Sequence, residues 1–91
     1  MIRQSVQVCN NLGLHARAAA KLVRLASGFS STIYLSRADA NQQIDAKSIL
    51  GILMLAASKG TQLVISIEGD DEVEAGDAIS RLFENKFGEE S

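Results

Sequence analysis

The sequence has little or none of several residue types that would support particular kinds of site. Its 91 residues include one cysteine, one histidine, no proline and no tryptophan. A single cysteine excludes an internal disulfide and a thiolate metal cluster, and with one histidine it gives too few ligands for a recognisable metal site. We therefore predict neither a metal nor a cofactor. We interpret Cys9 as a packing residue in preference to a nucleophile paired with His15.

Long hydrophobic runs are also missing. The most apolar stretch, residues 49–57, is interrupted by Gly51 and is far shorter than the roughly 20 residues that cross a bilayer. Residues 1–5 lack the charged and then apolar layout of a signal peptide. Because 46% of the residues are hydrophobic, we predict one domain over residues 1–91 with its own core. We expect a cytoplasmic protein without membrane insertion.

Acidic residues are scarce in the first part of the chain. Residues 1–67 hold seven Lys/Arg and two Asp/Glu, which gives a net charge of +5. Residues 68–91 hold two Lys/Arg and nine Asp/Glu, which gives a net charge of −7. Arg17, Lys21 and Arg24 are spaced to share one helix face, where they would attract an acidic partner or simply be solvated. Nucleic acid is disfavoured because aromatic residues make up only 4% of the chain.

The spacing of apolar residues predicts four strands. These are residues 2–8, residues 32–36, a short strand around residues 43–46, and a central strand containing Leu63, Ile65 and Ile67. The turn-forming residues 38–41 predict that the second and third strands form a hairpin.

Three segments have helical signals. Apolar residues recur with helical spacing from Ala16 and stop at Gly28. Ser48 can cap a short helix over residues 49–55, which Gly51 weakens and the Lys59-Gly60 pair would terminate.

The last helix is predicted to begin near Asp71, which stands at capping-box spacing from Glu74. Its buried face is predicted to contain Ile79, Leu82 and Phe83. The order β-α-β-β-α-β-α is typical of an α+β domain with its helices on one face of an antiparallel sheet.

The most informative motif is the run of residues 11–17, Asn-Leu-Gly-Leu-His-Ala-Arg, which places His15 where a turn becomes a helix. The first backbone N–H groups of a helix lack intrahelical partners and favour an anion. Arg17 adds a guanidinium that suits phosphate oxygens. We interpret His15 as a phosphoryl acceptor. From these residues alone, the alternative is an ordinary surface or capping histidine.

Gly13-Leu14-His15-Ala16-Arg17, together with Lys47-Ser48-Ile49, resembles the histidine-containing phosphocarrier (HPr) family of the bacterial phosphotransferase system. The similarity spans essentially the whole chain. It implies an open-faced β-sandwich, with a four-stranded antiparallel sheet and three helices on one face. It also implies that His15 accepts a phosphoryl group on Nδ1 from phosphorylated enzyme I and passes it to an enzyme IIA-type protein, with Arg17 assisting. Ala18 departs from the family, which usually has proline there, and it adds one backbone N–H.

Ser48 matches the serine that an HPr kinase/phosphorylase modifies in some members of the family. The alternative is a plain N-cap, which contributes about 1 kcal/mol without any regulation.

The resemblance also implies a docking surface beside His15, apolar in the centre and basic around it. We assign to this surface Ala16, Ala20, Lys21, Arg24, Lys47, Ile49, Leu50 and Leu53. For Leu50 and Leu53 the alternative is a place in the core, which is less expected for Leu53 than for Ile49 and Ile52. A monomer would keep the surface accessible.

Residues 53–60 and the segment from Leu82 to Glu90 resemble proteobacterial members, which include carriers for carbohydrate uptake and a nitrogen-related branch. These residues do not distinguish the two branches. The competing hypothesis is a non-catalytic α/β module that binds a small ligand or a protein. Such a module would keep its function after His15→Ala, whereas a carrier would lose phosphoryl acceptance completely.

Overall fold

The computed structural model describes residues 1–91, and its strands form one antiparallel sheet. The strands are β1 (Ile2–Gln7), β2 (Thr32–Arg37), β3 (Ile44–Asp45) and β4 (Gln62–Glu68). The sheet order is β1-β4-β2-β3, so the fourth strand is central, as predicted. Leu63, Ile65 and Ile67 alternate along it and are fully buried, because side chains two apart point to the same face of a strand.

The helices are α1 (Ala16–Ser27), α2 (Ile49–Met54) and α3 (Glu72–Glu84), and a short 3-10 turn follows at Lys86–Gly88. This order confirms the predicted β-α-β-β-α-β-α arrangement and the α+β class. The opposite face of the sheet is open, and exposed Arg3, Thr32 and Tyr34 lie on its strands. None of the helices combines the length and the hydropathy that crossing a bilayer requires.

Helix α1 follows its predicted bounds. Its buried stripe consists of Ala18, Ala19, Leu22 and Ala26, which recur with helical spacing. Gly28 ends the helix, and its N–H donates to the carbonyl of Leu25 at 3.1 Å. Three of the four buried residues are alanines, so the start of α1 can lie close to its neighbours in the core.

Helix α2 is short, and its start is the predicted one. The hydroxyl of Ser48 accepts a hydrogen bond from the N–H of Gly51 at 3.2 Å. Gly51 is required at this point because a Cβ there would collide with the side chain of Ile44. The helix ends at Met54, before the predicted stop at Lys59-Gly60. Ile52 is its only buried residue, whereas Ile49 is 40% exposed, so the alternative of a place in the core does not hold for Ile49.

The predicted capping box at the start of α3 is also wrong. The carboxylate of Asp71 makes no bond to its own helix. It accepts instead from the backbone N–H groups of Ser30 and Ser31, at 2.9 and 3.0 Å, and from the Ser31 hydroxyl. The Ser31 hydroxyl, followed by the Ser30 amide, lowers the pKa of Asp71 to about 2. Asp71 therefore ties the segment before β2 to the start of α3.

Glu72, the first residue of α3, bonds to the turn that precedes the helix. Its carboxylate accepts from the N–H of Gly69 at 3.2 Å. Further along the helix, Ile79 and Phe83 are buried as predicted, and Leu82 is half-buried against the core.

Candidate functional site

The loop before α1 has one conformation fixed by hydrogen bonds. Gly13 has φ +67°, and its N–H donates to the carbonyl of Asn10 at 3.2 Å. The buried amide of Asn10 donates back to the carbonyl of Gly13 at 2.8 Å. A Cβ at Gly13 would lie 2.6 Å from the carbonyl oxygen of Ala57. A glycine is thus needed both for the positive φ and for the close approach.

His15 is the N-cap of α1, with an extended backbone. Its Nδ1 accepts a hydrogen bond from the N–H of Arg17 at 3.2 Å, and its carbonyl accepts from the N–H of Ala19 at 2.8 Å. The side chain is 22% exposed. The structure therefore places the imidazole at the helix start, as predicted, with Nδ1 facing the first turn.

The substitution of alanine for the usual proline has a visible consequence at α1. The N–H of Ala18 makes no hydrogen bond within the chain. Ala18 itself is fully buried, so this unpaired donor lies in the first helical turn beside the amide of Arg17. An anion at the helix start could be bound by both amides.

Glu89 is a site residue that the sequence interpretation missed. One of its carboxylate oxygens pairs with Nε2 of His15, and the other accepts from the Asn10 side-chain amide at 2.9 Å. These two hydrogen bonds, with that from Asn10 the larger, lower the pKa of Glu89, so the group is a carboxylate at neutral pH. The only signals in the sequence are the acidic composition after residue 67 and the apolar Phe87 two residues earlier.

Residues 86–91, the tail segment, are anchored beside the site. Phe87 is fully buried and packs edge-to-face on Phe83, with ring centroids 4.9 Å apart. The ammonium of Lys21 donates to the carbonyl of Phe87 at 2.6 Å. Lys21 thus holds the tail segment against α1.

The predicted basic residues fall into two groups. Arg17 and Arg24 are exposed and make no ion pair within the chain. The ammonium of Lys47 donates to the carbonyl of Phe29 at 2.9 Å, beyond the C-terminal end of α1 and about 18 Å of helix away from His15. The structure therefore leaves the side chain of Arg17, two residues after His15, without an ion pair, and it separates Lys47 from the imidazole.

Apolar side chains are exposed on α2 and in the loop before α1. Leu50 is 71% exposed and Met54 is 78% exposed, with Ile49 and Leu53 less so. Leu12, 66% exposed, lines a shallow depression of about 210 Å³ together with His15. Leu12 and Met54 were not among the predicted docking residues. We call the set of Leu12, Ala16, Ala20, Ile49, Leu50, Leu53 and Met54 the apolar surface.

The other candidates lie apart from this arrangement. No cluster of three or more His, Cys, Asp or Glu side chains is placed to hold a metal ion. Cys9 is half-buried, and its thiol donates to the carbonyl of Gln7 at 3.4 Å. A larger cavity of about 390 Å³ is lined by residues of the open sheet face, among them Arg3 and Tyr34, and by none of the predicted site residues.

The fold and the site together define a class of protein, the small histidine-containing carrier. Its features are a four-stranded sheet, three helices on one face of that sheet, and an imidazole that caps the first helix. Comparison with known proteins gives the same answer. The family described as "PTS HPr component phosphorylation site" matches residues 2–85. The phosphocarrier protein HPr of Cupriavidus necator is 47% identical over 89 residues, covering 98% of each chain. That of Xylella fastidiosa is 47% identical over 91 residues, covering 100% of each.

Solved structures agree. HPr-C-His from Thermoanaerobacter tengcongensis superposes with a TM-score of 0.93 at 46% identity, covering 100% of each chain. HPr from Bacillus anthracis superposes with a TM-score of 0.84 at 35% identity, covering 90% of this chain and 95% of that one. The chain belongs to the HPr family. It is a phosphocarrier of the phosphotransferase system, as the sequence predicted, and its partners are proteins of that system.

Proposed function

We propose that His15 accepts a phosphoryl group on Nδ1 from phosphorylated enzyme I and passes it to an enzyme IIA-type protein. The observation that carries this proposal is the contact between Nδ1 and the amide of Arg17. It places one ring nitrogen, as an acceptor with a lone pair, at the positive end of a helix. No other titratable nucleophile of the chain has this environment.

The transfer requires a neutral imidazole and donors for the phosphoryl oxygens. The Nδ1 lone pair forms the new N–P bond as the bond from phosphorus to the donor breaks, and the donor keeps that electron pair. The amide of Arg17 then loses Nδ1 as its acceptor and is free, with the amide of Ala18, to bind phosphoryl oxygens. The Arg17 guanidinium makes no ion pair within the chain and offsets the charge that develops on the phosphoryl group.

The apolar surface is proposed to be where both partners dock in turn. Exposed apolar side chains on a short helix beside a cation are typical of the centre and rim of a protein interface. Arg17 and Arg24 provide the basic rim that steers an acidic partner. A small interface suits a carrier that must release each partner quickly. We propose that the carrier acts as a monomer in the cytoplasm, a compartment that suits a chain without disulfides.

Ser48 is proposed as a second, regulatory phosphorylation site for an HPr kinase/phosphorylase. Its hydroxyl is exposed and its only contact is the capping bond from Gly51. A phosphate there would add about two negative charges next to Ile49 and Leu50, in the apolar surface. It would thereby weaken the docking of an acidic partner.

The decisive experiment is incubation with phosphoenolpyruvate and enzyme I, followed by intact mass measurement. We expect the wild-type chain to gain the mass of one phosphate that is lost in acid, and His15→Ala to gain none. Cys9→Ser, which removes the other candidate nucleophile, serves as the matched control and gains the phosphate like the wild type. The measurement is made with enzyme I of the carbohydrate branch and of the nitrogen-related branch, because the faster donor identifies the pathway. No gain with either enzyme, or a gain that persists in His15→Ala, contradicts the proposal.

A further inference from the structure

The two ring nitrogens of His15 face groups of opposite hydrogen-bonding character. The N–H of Arg17 can only donate, so the Nδ1 that it contacts carries a lone pair. The ionised carboxylate of Glu89 can only accept, so the Nε2 that it contacts carries the proton. A neutral imidazole has one proton to place, and both contacts assign that proton to Nε2. The structure therefore contains one preferred tautomer.

The carboxylate is itself held in position from two sides. Asn10 is fully buried, and its side-chain amide bridges the carbonyl of Gly13 and the carboxylate of Glu89, at 2.8 and 2.9 Å. The side chain of Glu89 is only 16% exposed. The backbone of the tail segment is fixed two residues earlier by the hydrogen bond from Lys21. The contact with His15 thus belongs to a connected network and is more than an encounter of two flexible surface groups.

We propose that Glu89 is a positioning residue for phosphoryl transfer, which selects the tautomer of His15 that presents the Nδ1 lone pair to the start of α1. This inference rests on the proposed function of His15. The charge balance favours the same role. When Nδ1 forms the N–P bond, Nε2 keeps its proton and the ring becomes a cation, which the carboxylate stabilises across the Nε2 hydrogen bond. When the group leaves, the electron pair of the N–P bond returns to Nδ1 and the neutral tautomer is restored.

A different role for the tail segment would have the opposite consequence. If residues 86–91 were mainly a cover over the imidazole, removing the Glu89 contact would expose His15 and speed up phosphoryl acceptance. If Glu89 selects the tautomer, removing it populates the form with the proton on Nδ1, which has no lone pair to attack with. The direction of the rate change therefore separates the two roles.

The first test measures the tautomer without any partner protein. The ring ¹⁵N chemical shifts of His15 are compared in the wild type, Glu89→Ala, Glu89→Gln and the control Glu90→Gln, which removes an exposed neighbouring charge. We expect the Nε2–H tautomer in the wild type and in Glu90→Gln, and a mixture in Glu89→Ala. Glu89→Gln has the same shape, but an NH2 group replaces one of the two oxygens that accept from Asn10 and His15, so we expect an intermediate spectrum. Identical spectra in all four proteins would overturn the proposal.

The second test measures the rate of phosphoryl acceptance from phosphorylated enzyme I for the same four proteins. We expect Glu89→Ala to be slower by about tenfold, the lower end of what is lost when the outer partner of a metal-binding histidine is removed. We expect Glu90→Gln to match the wild type. An unchanged or higher rate in Glu89→Ala, while the wild type still accepts phosphate on His15, overturns the role of Glu89 and leaves the carrier function standing. Failure of the wild type itself to accept phosphate contradicts the proposed function instead, and with it the role in transfer.

Discussion

The starts of α1 and α2 are both capped by a side chain, but their surroundings differ. His15 Nδ1 accepts from the N–H of Arg17, and Ser48 Oγ accepts from the N–H of Gly51, each at 3.2 Å. His15 is partly enclosed and has a second contact through Glu89, whereas Ser48 is exposed and has no other side-chain contact. Capping alone thus does not make a reactive site. His15 differs from Ser48 in a tertiary contact, which fixes its second ring nitrogen. It differs also in the nearby residue Arg17, whose cation makes no ion pair within the chain.

Replacing Arg17 is expected to have the largest effect on this difference, because it removes the free cation from the start of α1. Arg17→Gln should slow phosphoryl acceptance by about a hundredfold, the effect of losing one donor aimed at developing charge. The measurement is the rate of transfer from phosphorylated enzyme I at fixed ionic strength. The control is Arg24→Gln, which makes the same charge change two turns further along α1. Equal losses in both variants would show that the two arginines act only through long-range attraction of the partner.

Changing Ser48 tests the start of α2, where the cap has no tertiary partner. Ser48→Ala removes the cap of α2 and should lower the free energy of unfolding by about 1 kcal/mol, with no change in phosphoryl acceptance by His15. Denaturant unfolding and the transfer rate are measured on the same preparation. A large fall in the transfer rate at unchanged stability would show that the hydroxyl itself takes part in transfer.

Ser48→Asp approximates the charge of the modified residue. We expect it to keep the cap, since aspartate caps helices well, and to weaken association with enzyme I roughly severalfold through charge placed in the apolar surface. The binding affinity is measured by titration, with Ser5→Asp, at an exposed position of β1, as a charge-matched control. Equal weakening in both variants would contradict a local effect at Ser48.

The start of α3 extends the comparison to a third helix, and here the expected effect on stability depends on pH. The pKa of Asp71 is lowered from 3.8 to about 2, so its hydrogen bonds stabilise the fold at pH values above the ordinary pKa. That stability is lost as the pH falls through the lowered value. Asp71→Asn should therefore be less stable than the wild type at neutral pH, and the gap should narrow between about pH 4 and about pH 2. A gap that stays constant down to pH 2 would show that the carboxylate charge is unimportant.

The features that the sequence predicted are those that depend on near neighbours. The alternation of apolar residues along β4 and their spacing along α1 predicted both elements. A strand or helix that buries one face repeats its apolar residues with a fixed period. The caps at His15 and Ser48 involve partners two or three residues away, so the motifs alone predicted them. The exposure of Leu50 and Leu53 was predicted in the same way, from their places on a short helix.

The errors involve partners far along the chain. Asp71 bonds to Ser30 and Ser31, 41 and 40 residues earlier, so the local capping-box spacing with Glu74 was misleading. Glu89 meets His15 across 74 residues, and nothing in the composition of its segment names a partner. Such contacts depend on how the elements pack, which local patterns do not encode.

The separation of 74 residues between His15 and Glu89 also has a consequence for the timing of synthesis. At the usual rate of about 5–20 residues per second, the ribosome adds Glu89 roughly 4–15 seconds after His15. Strand β1 waits somewhat less long for its partner, since β4 begins at Gln62. A nascent chain therefore carries an imidazole without its carboxylate for most of its translation, and phosphoryl transfer becomes fully efficient only once the last helix and the residues after it have been made.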